Sequence, residues 1–206
     1  WRRALNWALG LVVFMWVSVL IAWSALHIFI VPRISEYRET LQQQASRAMG
    51  MRVDIGSINA QGGWLVPWFE AKDVVLFDRA GREALRLPRV LGAVSPYSLL
   101  MGQFQQLDIE KPEIEIRKDA DGLVWVAGIS TAGSADGTGA DWVFSQPELL
   151  GRQGIGHWRD DSRPELDQAN APNLMLSDID LTVQNQWFQH HLRLDVTPPN
   201  SFGQRL

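Results

Sequence analysis

Four histidines and 23 acidic residues are the raw material for chemistry in this 206-residue chain. Metal binding and acid–base catalysis both need such groups gathered at fixed spacing. One stretch gathers them: His157, Asp160 and Asp161 in GHWRDDSRP. Arg159 and Arg163 stand among these acids, so a turn tied by salt bridges accounts for the stretch better than a metal ion does. His190 and His191 are adjacent in an alternating segment. Neighbours on a strand point to opposite faces and cannot hold one ion together. His27 lies in an uncharged run without a partner. DADG, Asp119 to Gly122, opens like a calcium loop, but the third acidic position and the terminal Glu are missing. It reads as a hairpin turn. The segment STAGSADGTGAD, Ser130 to Asp141, has the glycines of a phosphate loop. It has neither Gly-x-Gly-x-x-Gly nor Gly-Lys-Ser/Thr, so a surface loop is expected. No cysteine is present, which excludes disulfides, thiol nucleophiles and zinc–cysteine sites. No catalytic residue, bound metal or cofactor is therefore expected.

The elements that would position any site must be read from pattern. Hydrophobic residues make up 46% and charged residues 20%, a globular balance. The net charge of −4 gives no reason to expect nucleic acid, and the aromatics have no basic patch around them. From Ala4 to Val31 no residue is charged. As one helix this run would be about 42 Å long, more than the about 30 Å of a bilayer core. It is too long for the apolar part of a cleaved signal, so a retained membrane anchor is expected. Trp1 and Trp7 suit the interface, and Pro32 ends the run. Arg2 and Arg3 precede the span while Arg33, Arg38 and Arg47 follow it, so basic residues do not fix its orientation.

ISEYRETLQQQASRAMG reads as a short amphipathic helix with Ser35 as N-cap and Gly50 as stop. Its weak apolar stripe is expected to pack over the end of the domain that follows. From Met51 the period changes to two. RVDIGSINA, FEAKDVVLFD, EALRLPRV, FQQLDIEKPEIEI, LVWVAGI, NLMLSDIDLTV and HHLRLDV alternate as strands with one apolar face. Turns are expected at Ala80-Gly81 and Asp121-Gly122. YSLLMGQ reads as a helical turn and RPELDQANAPN as a second loop. No helix long enough for a strand–helix–strand crossover is evident, so the sheet is expected to be antiparallel. Two echoes recur: IEKPEI with FSQPEL, and DVVL followed by LRLPRV with DIDL followed by LRLDV. They suggest similar β units set side by side. The pattern breaks off at Leu206 with no closing strand, as a piece of a longer array would.

The order of these segments resembles the N-terminus of the AsmA-like superfamily, and within it the long YhdP-type proteins of Gram-negative bacteria. The likeness runs from ISEYRETLQQQASRAMGMRVDIGSINAQ through GWLVPWFEAKDVVLFDRAGREALRLPRV to LMLSDIDLTVQNQWFQHHLRLDVTPP. It implies a mainly β protein: an N-terminal transmembrane helix, a short helix, then an elongated, curled antiparallel sheet of repeating β-groove units. The expected divisions are an anchor at 1–32, an amphipathic helix at 33–50, a first groove segment at 51–129, a flexible loop at 130–141 and a second groove segment at 142–206. The resemblance also implies a cytoplasmic N-terminus in the inner membrane and a periplasmic remainder that carries phospholipid toward the outer membrane. Val74, Leu76, Leu85, Leu87, Leu107, Ile109, Ile114, Ile116, Leu174, Leu176, Leu181, Leu192 and Leu194 would line the groove. The expected partners are phospholipid acyl chains, the inner membrane and other envelope proteins. A different function fits the same elements: a non-transporting envelope scaffold or assembly factor, whose apolar face is a closed core. Bulges at Pro88 and Pro112 would exchange the two faces.

Overall fold

The computed structural model describes residues 2–25, 27–28, 31–61, 67–95, 98, 101, 103–131, 138–162, 174–186 and 189–197. Trp1, most of the glycine-rich loop and the segment 163–173 lie outside them. Helix α1, Arg2–Ala25, is followed by a 3₁₀ segment, Val31–Tyr37, and by α2, Arg38–Met49. Among the described residues ten strands follow: β1 Arg52–Gln61, β2 Trp68–Phe77, β3 Glu83–Ala93, β4 Gln106–Glu110, β5 Glu113–Lys118, β6 Val124–Val126, β7 Ile129–Ser130, β8 Glu148–Asp160, β9 Met175–Gln186 and β10 Gln189–Thr197. A short helix α3, Thr138–Phe144, lies between β7 and β8.

Among the described residues helix α1 covers 24 residues, about 36 Å, and His27 and Ile28 of the same uncharged run are also helical, in a wider π turn. Pro32 lacks an amide donor and disfavours the α conformation in the residue before it, so the chain leaves the span through a 3₁₀ segment. Ser35 falls inside that segment. Tyr37 takes the N-cap position of α2, with no side-chain cap bond. Gly50 closes α2 in the left-handed conformation, φ 65°, as the sequence suggests.

The strands form one sheet, in the order β1, β2, β3, then β4 with β5, then β8, β9 and β10. β4 and β5 are successive pieces of one strand line, and both pair with β3 and with β8. Past the start of β3, β6 takes its place beside β5, and β7 follows β6. The hairpins expected at Gly81 and Gly122 are present, with φ of 78° and 82°. The sheet is mixed rather than wholly antiparallel, because β8 runs parallel to β4 and β5. A parallel neighbour requires a crossover. The chain between β7 and β8 supplies it, with a helix of only seven residues.

A crease crosses six strand lines at one level. The pairings set Gly56 opposite Asp73, Asp73 opposite Pro88, Pro88 opposite Lys111, and Lys111 beside Gln153. Asp73, Lys111, Gln153 and Asp178 have φ between 50° and 54°. Such a backbone costs about 1–3 kcal/mol per non-glycine residue, so its surroundings must hold it. They do. Lys111 N donates to Arg152 O and Ile155 N to Pro112 O, each at 2.8 Å, and Gln153 N donates to Asp180 Oδ1 at 2.8 Å. The crease shifts the alternation by one residue. Ile55 is followed on its face by Ile58, Ala71 by Val74, Leu87 by Val90, Gly151 by Gly154, and Leu176 by Ile179. From β1 to β5 the neighbouring strands make this shift together and stay in register across it. The apolar positions therefore stay on one side of the sheet over its whole length.

Candidate functional site: the apolar face of the sheet

The thirteen apolar positions singled out from the sequence fall on one face. On one side of the crease Val74 faces Leu87, Leu76 faces Leu85, and Leu85 faces Ile114. Ile116 shares the phase of Ile114 on β5, and Leu176 faces Gly156, the parallel neighbour of Ile114. Leu174, just before β9, has the phase of Leu176. On the other side Val90 pairs with Ile109, Ile109 with Gly151, Gly151 with Leu181, and Leu181 with Leu194. In the next row Leu107 pairs with Leu149, Leu149 with Val183, and Val183 with Leu192. The shift at Pro88 and Pro112 thus keeps the set on one face rather than dividing it. Val90 packs against the buried groups on both sides of the crease.

These positions differ in what covers them. Val53, Ile55, Val74 and Leu76 are buried, with Leu41, Ala45 and Met49 of α2 packed on them. Leu107 is buried with Leu149 and Val183, beneath Phe104 and Val143 of α3. Val74, Leu76 and Leu107 therefore touch protein in this structure, because two helical segments supply a layer that alternation on the strands does not encode. Leu85 and Leu87 border the first cluster, and Ile109 and Leu181 border the second. Ile114, Ile116, Leu174 and Leu176 are half-buried and lie outside both clusters. Leu192 and Leu194 are exposed.

The two covering segments are held by polar contacts. Ser46 Oγ accepts from Val53 N at 3.0 Å, Gln42 Oε1 accepts from Ile55 N at 3.1 Å, and Arg38 Nη1 donates to Ile55 O at 2.8 Å. Side chains of α2 thereby satisfy the outer edge of β1, as a neighbouring strand would. The α3 crossover is fixed by Gln146, which is 0% exposed. Its Oε1 accepts from Phe104 N at 2.8 Å, and its Nε2 donates to Trp142 O at 2.7 Å. Asn185 Nδ2 donates to Phe144 O and Gln146 O, so β9 holds the same segment. Nothing in the sequence pattern singled out Gln146 or Asn185; a glutamine just before a proline carries no such signal.

The opposite face is charged. Glu70, 3% exposed, receives Arg89 Nε at 2.6 Å, and the same Arg89 reaches Glu110 at 3.0 Å. The hydrogen bond from Arg89 holds the Glu70 carboxyl below its usual range, against the effect of burial, and the nearby charge of Lys72 acts in the same direction. Arg152 meets Asp108 at 3.1 Å, and Arg159 meets Glu115 at 3.6 Å. A cavity of about 230 Å³ lies between the β2–β3 turn and β6–β7. Within it Arg82 pairs with Asp78 at 2.6 Å, and Asp119 accepts from Trp125 Nε1 at 2.9 Å. That bond, with backbone donors at Leu123 and Asp121, keeps the Asp119 carboxyl below its usual range.

The residues read as possible chemistry are dispersed. His157 is exposed on β8, and Asp161 pairs with Arg117 of β5. Arg159 uses Glu115, not the acids of its own turn; Arg163 lies outside the described residues. His190 Nδ1 meets Asn185 Oδ1 at 2.7 Å. Among the described residues no three or more His, Cys, Asp or Glu side chains gather as a metal site would require.

Among the described residues one helix is long and apolar enough to cross a membrane, over Asn6–Ala25, and it precedes a bent sheet with one apolar and one charged face. That combination defines a β-sheet protein with a single N-terminal membrane anchor. The family model of the YhdP protein matches residues 1–206, and the chain belongs to the YhdP family of AsmA-like proteins. No curated protein and no solved structure gives a match.

Proposed function

We propose that this chain is the membrane-anchored beginning of a lipid-carrying β-groove, and that phospholipid acyl chains travel along the apolar face of the sheet. The observation that carries the reading is the continuity of that face across the crease, with Ile114, Ile116 and Leu176 left outside both buried clusters. Each buried methylene is worth about 0.8 kcal/mol, so a row of such residues can hold a lipid tail without any charged contact. The protein acts without catalysis, cofactor or metal. The anchor lies in the inner membrane of a Gram-negative cell with its N-terminus in the cytoplasm, and the sheet stands in the periplasm. The working divisions are the anchor 1–32, helix 33–50, groove segments 51–129 and 142–206, and between them the connection 130–141, which takes in the end of β7 and the start of α3.

A photo-reactive residue at Ile114 or Ile116 is expected to capture phospholipid in cells, and one at Glu115, which points to the charged face, to capture none. Equal capture from positions 114 and 115 would overturn the groove. A second reading, an envelope scaffold with a closed core, is favoured by the burial of Val74, Leu76 and Leu107 under protein side chains. It predicts capture of protein alone from all three positions.

A further inference from the structure

Helix α2 is attached in an unusual way. None of its residues is buried. It lays Leu41, Ala45 and Met49 on the strip formed by Val53, Ile55, Val74 and Leu76. It is also held by the hydrogen bonds of Arg38, Gln42 and Ser46 to the edge of β1. Water can replace each of these when the helix moves away, so little net free energy holds them. Both ends of the helix are jointed. Arg33, at φ −117° and ψ 17°, interrupts the 3₁₀ segment before it. Gly50 follows in the left-handed conformation, with open space where a side chain would stand.

The strip beneath α2 is the same face that continues, through Val74 to Leu87 and Leu76 to Leu85, toward Ile114. It also lies near the bilayer in the chain: twelve residues separate the end of α1 from the start of α2, and buried Ile34 ties that connection down.

We infer that the strip beneath α2 is an acyl-chain site, and that α2 is a lid occupying it until a membrane phospholipid displaces the helix. This rests on the groove reading above and adds a covered acyl-chain site at the end of the groove that adjoins the anchor. The occupant is a lipid tail because the strip is aliphatic and uncharged, adjoins the segment that leaves the membrane, and is filled here by aliphatic side chains. Displacing α2 would also bare the amides of Val53 and Ile55, which a strand of a partner protein would seek. The experiment therefore distinguishes lipid from protein.

The chain has no cysteine, so an engineered pair is unambiguous. In the full chain in native membranes, Q42C and D54C would be joined by a short bifunctional thiol reagent to hold α2 down. Gln42 Nε2 and Asp54 Oδ1 already lie 3.2 Å apart. Photo-reactive residues would be placed at Leu76, beneath the lid, and at Ile114, beyond it. The expected result is phospholipid capture at Ile114 with or without the bridge. At Leu76 capture occurs only without it, and rises when Gln42→Ala and Ser46→Ala release the helix. Capture at Ile114 but never at Leu76, even in the released variant, would overturn the lid and leave the groove standing. Protein captured at Leu76 in that variant would overturn it in favour of a docking edge. Loss of capture at both positions would overturn the groove itself.

A second measurement needs no substitution in the core. Hydrogen exchange at the Val53 and Ile55 amides of the unmodified chain is expected to quicken about tenfold when phosphatidylethanolamine vesicles are added. Unchanged exchange in a chain that captures lipid at Ile114 would overturn the lid.

Discussion

The outermost strands among the described residues, β1 and β10, carry the same alternation and differ in what covers them. At β1, Val53 and Ile55 are 3% and 8% exposed, and their outward backbone groups bond to Ser46, Gln42 and Arg38. At β10, Leu192 and Leu194 face Val183 and Leu181 on that same side of the sheet, yet they are 67% and 56% exposed. Among the described residues β10 bonds only to β9. Alternation thus states which side chains share a face. Whether the face becomes interior depends on a covering element encoded elsewhere in the chain, here in the twelve residues of α2.

That contrast can be broken most directly by placing a carboxylate at each edge. Leu76→Asp is expected to cost about 4 kcal/mol, because the charge would sit unpaired beneath α2. Leu194→Asp is expected to change stability by no more than about 0.5 kcal/mol. Urea unfolding of the two variants checks this, and equal losses would mean that the burial difference has no energetic weight.

A smaller test compares two glycines. A Cβ at Gly56 would stand 2.9 Å from Asp73 Cβ and 3.0 Å from Lys72 O, whereas one at Gly151 would meet Leu181 Cβ at an ordinary 3.5 Å. Gly56→Ala is expected to cost about 2 kcal/mol and Gly151→Ala clearly less. The same melts would show it, and the reverse order would mean that the crease yields where the β1 edge is supposed to be fixed.

The smallest effect separates the charged sides of the two edges. Glu70→Gln, near β1, is expected to cost about 1.5 kcal/mol at neutral pH. The exposed Arg193–Asp195 pair of β10 should contribute under about 0.5 kcal/mol. Because Arg89 lowers the folded-state pKa of Glu70, its contribution is complete above the unfolded value of about 4.3 and is lost as pH falls through the folded value. The gap between wild type and Glu70→Gln should therefore be constant near neutrality and shrink below about pH 4. A gap that grows in acid would contradict the ion pair.

Much of this fold is legible in the sequence, for identifiable reasons. Gly81, Gly122 and Gly50 mark their turns and cap because each adopts a left-handed backbone. The strands follow from period two, and the membrane helix from its lack of charge. The crease is half-legible. Ile55 to Ile58, Leu87 to Val90 and Leu176 to Ile179 are spaced by three where alternation demands two. Gly56, Pro88 and Pro112 draw attention to three strands, but alignment of the shifts needs the pairing. The parallel partnership of β8 is not legible. Its crossover carries only a seven-residue helix among the described residues, and the side chains that secure it, Gln146 and Asn185, act through backbone groups distant in sequence. The candidate face is legible as a set of positions. Its division into covered and open parts is not, because α2 has only a weak stripe and α3 begins in a segment that reads as a loop.

The crease also works as a shared reading frame. Deleting Asp73 alone would let β2 run in strict alternation with its apolar side chains still on one face, but it would leave β2 one residue short of its partners across the crease. Its neighbours β1 and β3 would keep their full count, so the ladder could be right for hydrogen bonds or for side chains, but not for both. A strand of this sheet cannot change its residue count by itself. Related chains should therefore vary freely in the lengths of their turns, while within the strands they gain or lose residues only in matched sets across the crease.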